Sequence, residues 1–371
     1  MKQDLSVYIH LPFCEKKCYY CDFNSFANME SYFESYISAL TTEICNCPEL
    51  KEANIITVFI GGGTPSVLPS KYVEKIMEAL TCFQLTKDAE ITIEANPNSL
   101  TKDKLRDYKS FGINRLSIGL QAYQNRLLKI LGRIHSAKDF LMCMDAVHSV
   151  GFHNVSADLM FALPGQSLAD WDESLEAVVA AGLSHISCYG LSIEENTPFY
   201  KDYRPIDEEL DRKMYYAAVE FLGFHGFPRY EISNFAKDGF ASRHNSVYWE
   251  RGNYLGFGLS AHSLYNDTRF ENTGNLSEYT ANINDKNRRK NIVDLTQKDI
   301  MEEFMFLALR MTKGVSAEKF LRKFGIDIYS VYSDVIEKNT ANKLLEIDED
   351  RIKLTPKGID LSNVVLSEFL R

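Results

Sequence analysis

A chain of 371 residues is long for one compact domain and sufficient for a large domain with a smaller one beside it. Its 45% apolar and 25% charged residues are ordinary for a globular protein, and a net charge of −10 speaks against a general nucleic-acid binder, whose surface must neutralise phosphates. No apolar run reaches the length of a membrane span, the opening MKQDLSVYIHLP has no signal-peptide core, and eight cysteines are too sparse for a disulfide scaffold.

Six β-like runs follow one another in chain order, over residues 6–11, 56–61, 90–95, 113–120, 154–162 and 185–191. Each is rich in Val, Ile, Leu, Tyr or Phe, and several end directly on Gly, Pro or Asn. Between them the stretches 31–44, 70–80, 101–112, 137–151 and 167–182 have helical period. Ser70, Thr101 and Ser167 are placed to start helices, and Gly112, Gly151 and Gly182 to end them.

Continuous apolar strands alternating with helices predict parallel βαβ units. Six such units, with no Gly-x-Gly-x-x-Gly after the first strand, favour an α/β fold built as a partial (β/α)6 TIM-like barrel over a doubly wound sheet. Such a barrel carries its chemistry on the loops after the strand C-termini. The unusual residues fall there: a cysteine loop after the first strand, GGGTP (61–65) after the second, and Glu94 with NPN at the third. Gln121 ends the fourth strand, and Asp158 with LPGQ (163–166) marks the fifth.

The alternation breaks near residue 195, which divides the chain into 1–195, 196–285 and 286–371. The middle part resists assignment and reads as a pocket-closing extension. Its aromatic run 215–235 reads first as core, with a porphyrin groove as the alternative. The last part reads as a small C-terminal helical domain, winged-helix-like, with a strand-like RIKLTPKG at 351–358. Residues 290–371 hold 13 Lys+Arg against 14 Asp+Glu, so protein contact is favoured there over DNA.

HLPFCEKKCYYCDFNSF (10–26) holds Cys14, Cys18 and Cys21 in the spacing C-x3-C-x2-C. A structural zinc site closes with four ligands, and none completes this one. An iron–sulfur cubane held by three thiolates leaves one iron open to an exogenous ligand. Phe13, Tyr19, Tyr20 and Phe23 would shield such a cluster. Of the other thiols, Cys45 and Cys47 form a C-x-C pair at a helix end, and Cys82, Cys143 and Cys188 read as core.

C-x3-C-x2-C on the loop after the first strand of a βα barrel resembles the radical S-adenosylmethionine (SAM) superfamily. The wider string VYIHLPFCEKKCYYCDF resembles its coproporphyrinogen III oxidase branch, which holds both the oxygen-independent oxidase and heme chaperones. The resemblance runs over nearly the whole chain. It implies a [4Fe-4S] cluster on Cys14, Cys18 and Cys21 whose open iron chelates SAM. It assigns Tyr8, Tyr20, Gly62, Gly63, Thr64, Glu94, Gln121, Arg133 and Asp158 to the SAM pocket. In GGGTP the missing side chains would let backbone N–H groups approach the methionyl zwitterion.

Within that branch, the oxidase form C-x3-C-x2-C-x-C has a fourth Cys where this chain has Phe23. The oxidase's N-terminal extension is also missing ahead of Cys14. HNSVYW (244–249) matches the H-N-x-x-Y-W motif that the chaperones associate with heme. The resemblance thus implies a heme carrier, with His244 a ligand to heme iron and Tyr248 and Trp249 against the porphyrin; a packed loop is the alternative for all three. Arg229, Arg243 and Arg251 are close enough in sequence to meet propionates. Coproporphyrinogen oxidation is the second reading. The implied partners are heme and heme-acceptor proteins, membrane-bound respiratory enzymes among them, with cytoplasmic residence and membrane contact only through those acceptors. A homodimer is left open.

Overall fold

The computed structural model describes residues 2–281 and 288–371. Six parallel strands form its centre: β1 (Gln3–Leu11), β2 (Ala53–Gly62), β3 (Leu85–Ala95), β4 (Arg115–Gln121), β5 (Asn154–Phe161) and β6 (His185–Gly190). Each pairs in parallel with the next, from Leu11 opposite Gly62 to Phe161 opposite Gly190. The first six residues of β4 are all buried, as expected of strands covered on both faces. Helices Phe33–Cys45, Ser70–Leu80, Lys102–Ser110, Ala137–Val150 and Leu168–Ala180 connect them. Thr101 and Ser167 cap their helices as the sequence predicts, Ser167 in a reciprocal capping box with Asp170. Ser70 is the first residue of its helix rather than the cap, which falls on Pro69.

The barrel is open because both of its edges are taken. The outer edge of β6 pairs antiparallel with β7 (Asn234–Ala236). The outer edge of β1 pairs in parallel with β8 (Tyr254–Phe257), with Tyr8 opposite Gly256. From β8 the sheet continues antiparallel through β9 (His262–Tyr265), β10 (Thr268–Asn272) and β11 (Arg289–Asp294). Residues 196–281 therefore build sheet as well as helices. Phe270, Leu276 and Tyr279 join the same apolar core as the barrel strands. The run 215–235 divides: Ala218, Leu222, Phe227 and Phe235 are buried, Tyr215 and Phe221 pack partly buried against the same core, Tyr215 on Phe161, and Phe224 is 87% exposed.

A second core gathers Met305, Phe320, Tyr332, Ile352 and Phe369. Around it lie helices Gln297–Ala308, Ala317–Phe324 and Ile328–Ala341 and a small sheet of Val315–Ser316, Arg351–Leu354 and Leu345–Asp348. The expected strand at 351–358 ends at Leu354, because Pro356 starts a short helix. The expected boundary at 285/286 lies outside the described residues.

Candidate functional site: the cysteine rim and an adjoining cleft

Backbone bonds build the cysteine loop. Phe13–Cys14 pairs with Phe26–Ala27, and Phe26 N–H donates to Pro12 O at 2.7 Å, closing the loop at its base. Tyr19 N–H donates to Leu131 O at 3.0 Å, which ties the middle of the loop to the segment after β4. The three thiols stay free. Thr64 Oγ1 donates to Cys14 Sγ at 3.7 Å, and Arg133 Nη1 to Cys18 Sγ at 3.5 Å. Burial pushes the Cys14 and Cys21 thiols up, and ligation to a metal would reverse this by holding the thiolate.

All three cysteines line one cavity of about 140 Å³. Its other walls include Tyr20, Gly62, Gly63, Thr64, Glu94, Gln121, Arg133 and Asp158. The strand ends thus bring every expected SAM-pocket residue but Tyr8 to a single chamber. Tyr8 lies one layer behind, its hydroxyl donating to His10 Nδ1 at 3.0 Å. A Cβ on Gly62 would come within 2.7 Å of the His10 ring. His10 and Tyr8 therefore form a wall behind the chamber.

The chamber is polar and tightly interlocked. Arg133 Nη2 donates to Asn96 Oδ1 at 2.7 Å and Gly119 O at 2.6 Å, while its buried Nε has no partner among the described residues. Asp158 accepts from Ser117 Oγ at 3.3 Å, and burial raises its pKa. Glu94 is largely buried in the chamber wall, and burial followed by the charge of Asp158 pushes its pKa up to about 8. Gln121 sits at φ 71° where β4 ends, a strained conformation for a residue with a side chain.

One expectation needs correcting. The N–H groups of Gly62, Gly63 and Thr64 are already engaged within the fold. Gly62 N–H donates to Glu94 Oε2 at 3.1 Å, Gly63 N–H to Leu11 O at 2.9 Å and Thr64 N–H to Phe13 O at 2.8 Å. What the glycines supply is room. A Cβ on Gly63 would sit 2.6 Å from Phe13 O and 2.9 Å from Phe13 N, backbone atoms that carry the cysteine loop. Gly63→Ala is expected to displace that loop and cut iron uptake several-fold while far-ultraviolet dichroism stays unchanged. Iron per chain after anaerobic reconstitution measures it.

The donor set suits a cluster with an open iron. Among the described residues, no group of three or more His, Cys, Asp or Glu side chains could hold a single metal ion. A cubane takes one thiolate per iron, so its ligands stand apart around a shared cavity. The unpartnered Arg133 Nε and the glycine cradle leave polar capacity and space for a zwitterionic co-ligand beside it.

HNSVYW forms the helix Arg243–Trp249. Glu90 on β3 fastens its start, accepting from the N–H groups of Arg243 at 3.1 Å and His244 at 2.9 Å. His244 is expected to offer a nitrogen to iron, but it is enclosed, 1% exposed, with both ring nitrogens occupied. Thr57 Oγ1 lies 2.8 Å from Nδ1, and Tyr248 OH 2.8 Å from Nε2. Thr57 passes its own proton to Ser6 Oγ at 2.7 Å, so Nδ1–H donates and Nε2 accepts from Tyr248. Burial, then the neighbouring Arg115, lowers the His244 pKa to about 3. In this arrangement His244 orients Tyr248.

Tyr248 and Trp249 face a second cleft, of about 420 Å³. Tyr8 and His10 of β1, Tyr254 of β8, His262 and Leu264 of β9 and Arg269 of β10 line one side. Leu307 closes the other side with the HNSVYW helix. Arg229, Arg243 and Arg251 are not in the lining. Arg243 pairs with Asp88, Arg251 with Asp267 and Glu303, and Arg229 donates to Tyr215 OH.

Residues 8–178 match the model of the Radical SAM superfamily, and residues 295–361 that of the HemN C-terminal domain. Heme chaperone HemW of Bacillus subtilis (strain 168) is 36% identical, over 98% of this chain and 99% of its own length. Heme chaperone HemW of Lactococcus lactis subsp. lactis (strain IL1403) is 34% identical, over 98% and 97%. The chain belongs to the HemW family of radical SAM proteins. Coproporphyrinogen III oxidase (HemN) from Escherichia coli has the same fold, with TM-score 0.87 at 22% identity over 100% of this chain and 90% of that one.

Against this HemW-family frame, Asn96 and Ser117 were missed as chamber residues. NPN directly after a rim strand was the available signal for Asn96. Ser117, two residues before Gly119 on β4, shares its inward face. Cys82 was expected in the core but is exposed, as is its neighbour Cys45.

Proposed function

We propose that this protein binds heme and passes it to hemoprotein acceptors, and that Cys14, Cys18 and Cys21 carry a [4Fe-4S] cluster that binds SAM. The observation that carries this reading is the shared wall between two clefts. His10 touches Gly62 of the cysteine chamber and also lines the aromatic cleft of Tyr248 and Trp249. The cleft's cavity volume of about 420 Å³ is in the range of ligand pockets, and its aromatic lining suits a planar apolar ligand. Names of full-length relatives support the carrier role. Tyr20, Gly62, Gly63, Thr64, Glu94, Gln121, Arg133 and Asp158 would contact SAM, with Tyr8 and His10 fixing the chamber's back.

Bound together, the cluster and SAM supply one-electron chemistry. The chain's residues orient the co-ligand: Arg133 reaches a carboxylate, while Glu94 and Asp158 meet an ammonium or hydroxyls. Phe23 and Tyr20 keep water from the cluster. Residues 1–195 would hold this chamber and lend Tyr8 and His10 to the aromatic cleft, the rest of whose lining comes from residues 248–269 and from Leu307. Acceptors include membrane-bound respiratory enzymes, reached from the cytoplasm; among the described residues no helix is long and apolar enough to cross a membrane.

Reconstituted protein incubated anaerobically with SAM, a reductant and coproporphyrinogen III tests the reading beside a parallel heme titration. Saturable heme binding without decarboxylated porphyrinogen is expected. Accumulation of protoporphyrinogen would make the protein an oxidase.

A further inference from the structure

We infer that the axial ligand to heme iron is His262, with the HNSVYW helix acting as the opposite wall of a slot. The inference rests on the carrier reading above and adds the iron-binding atom to it.

The slot follows from strand periodicity. Side chains two residues apart share a face of a sheet. Tyr8 and His10 share one on β1, and His262 and Leu264 one on β9. Leu264 lies opposite both Tyr254 and Arg269 in the register, and His262 lies opposite Glu271. One sheet face therefore presents Tyr8, His10, Tyr254, His262, Leu264 and Arg269 to the same opening. Tyr248, Trp249 and Leu307 stand across it on two helices. A sheet facing helix side chains makes a flat slot, the shape a porphyrin needs.

Three histidines lie in or beside this slot, and two are committed to the fold. His10 is buried, with Nδ1 bonded to Tyr8 OH and Nε2 at 3.0 Å from Asn24 O. His244 is buried between Thr57 and Tyr248. His262 differs: its side chain is 68% exposed. Its Nδ1 lies 3.0 Å from Ser260 O, so Nδ1–H donates to a backbone carbonyl. That bond fixes the ring plane and turns Nε2 outward, as in histidines that ligate metals. Nε2 meets Glu271 Oε2 at 2.8 Å. The His262 half of this cross-strand pair is solvent-exposed, which weakens it, and Glu271 keeps Asn291 as a partner when it opens.

Ligation forms an Fe–Nε2 bond and releases the water on ferric iron. A proton held by Nε2 passes to Glu271 or to solvent, and no electron moves. Arg269 supplies a guanidinium in the lining, held by Tyr254 OH and Glu303.

Hemin titrated into the full chain tests this by absorption and by electron paramagnetic resonance, for wild type, His262→Ala, His244→Ala and Glu271→Gln. Wild type is expected to bind one equivalent with a histidine-ligated spectrum. His262→Ala, a change at an exposed position, should lose that spectrum and at least tenfold in affinity, and free imidazole should restore the spectrum. His244→Ala should bind more weakly through loss of Tyr248 placement yet keep the histidine signature. Glu271→Gln should bind at least as tightly as wild type. A wild-type spectrum in His262→Ala, or loss of the signature in His244→Ala alone, overturns the assignment and leaves the carrier reading standing. Absence of saturable binding in wild type overturns both.

Discussion

Single replacement of Cys14, Cys18 or Cys21 by serine is expected to abolish the cluster and SAM binding while leaving the fold intact. The loop's shape does not depend on the thiols. Its base is closed by Phe26 N–H on Pro12 O, and its middle is tied by Tyr19 N–H on Leu131 O. The contacts to sulfur are single hydrogen bonds to a weak acceptor, 3.7 Å at Cys14 and 3.5 Å at Cys18, and none of the three is in a disulfide. Loss of folding stability should stay near 0.5 kcal/mol, the usual scale for substitutions away from core features. Cluster binding is different. Thiolate is the ligand iron needs, and a serine hydroxyl stays protonated at neutral pH. Iron per chain and visible absorbance should fall to background in each variant. Heme binding should persist, since no cysteine lines the aromatic cleft. Cys82→Ser, at an exposed position away from the chamber, serves as the control and should retain full iron. Equal iron in Cys18→Ser and Cys82→Ser would remove the basis for the cluster.

The barrel was legible because its signals are local. Each strand is a continuous apolar run, each helix has its own period, and Thr101 and Ser167 mark helix starts within a few residues of sequence. The rim followed from one rule about strand ends. Residues 196–281 were opaque for the opposite reason. Their strands are three to five residues long and gain meaning only by pairing with the edges of the barrel, β7 on β6 and β8 on β1, where Ser6 meets Tyr254. The common face of His262, Arg269 and Tyr8 exists only once that register is set.

The same distinction between local and tertiary signals runs through the candidate site residues. GGG announces missing side chains, but the sequence does not say that Leu11, Phe13 and Glu94 consume the amide hydrogens. HNSVYW puts His244 and Tyr248 four residues apart, hence on one helical face. That Thr57, on β2, takes the other imidazole nitrogen is a tertiary fact. With Thr57 and Tyr248 both in place, each ring nitrogen of His244 has a partner within the fold.

Glu94→Gln should make the protein more stable at alkaline pH and weaker in SAM binding. The carboxyl is largely buried, and its charged form is disfavoured first by burial and then by Asp158. Gly62 N–H and Arg115 offset this only in part. Tyr8 and Tyr248 face the same region and stay neutral, their phenols pushed up by burial. The folded pKa is about 8, against 4.5 for an unperturbed glutamate. Between these values the folded state holds a proton that the unfolded state has released. Stability from this group is therefore full below pH 4.5, falls as pH rises and is lost above about 8. The loss is on the order of 5 kcal/mol at one pKa unit per 1.4 kcal/mol. Glutamine carries no charge at any pH, and its amide oxygen can still accept from Gly62 N–H. Urea midpoints at pH 5, 7 and 9 should fall for wild type and stay nearly level for the variant, so their difference grows with pH. A cationic ligand reverses the balance, because the carboxylate then gains a partner inside the chamber. SAM should bind the wild type at least tenfold more tightly than Glu94→Gln, and should raise the wild-type midpoint most at pH 9. Parallel pH profiles for the two proteins would show that Glu94 is not the group that titrates. Equal SAM affinity would remove it from the pocket.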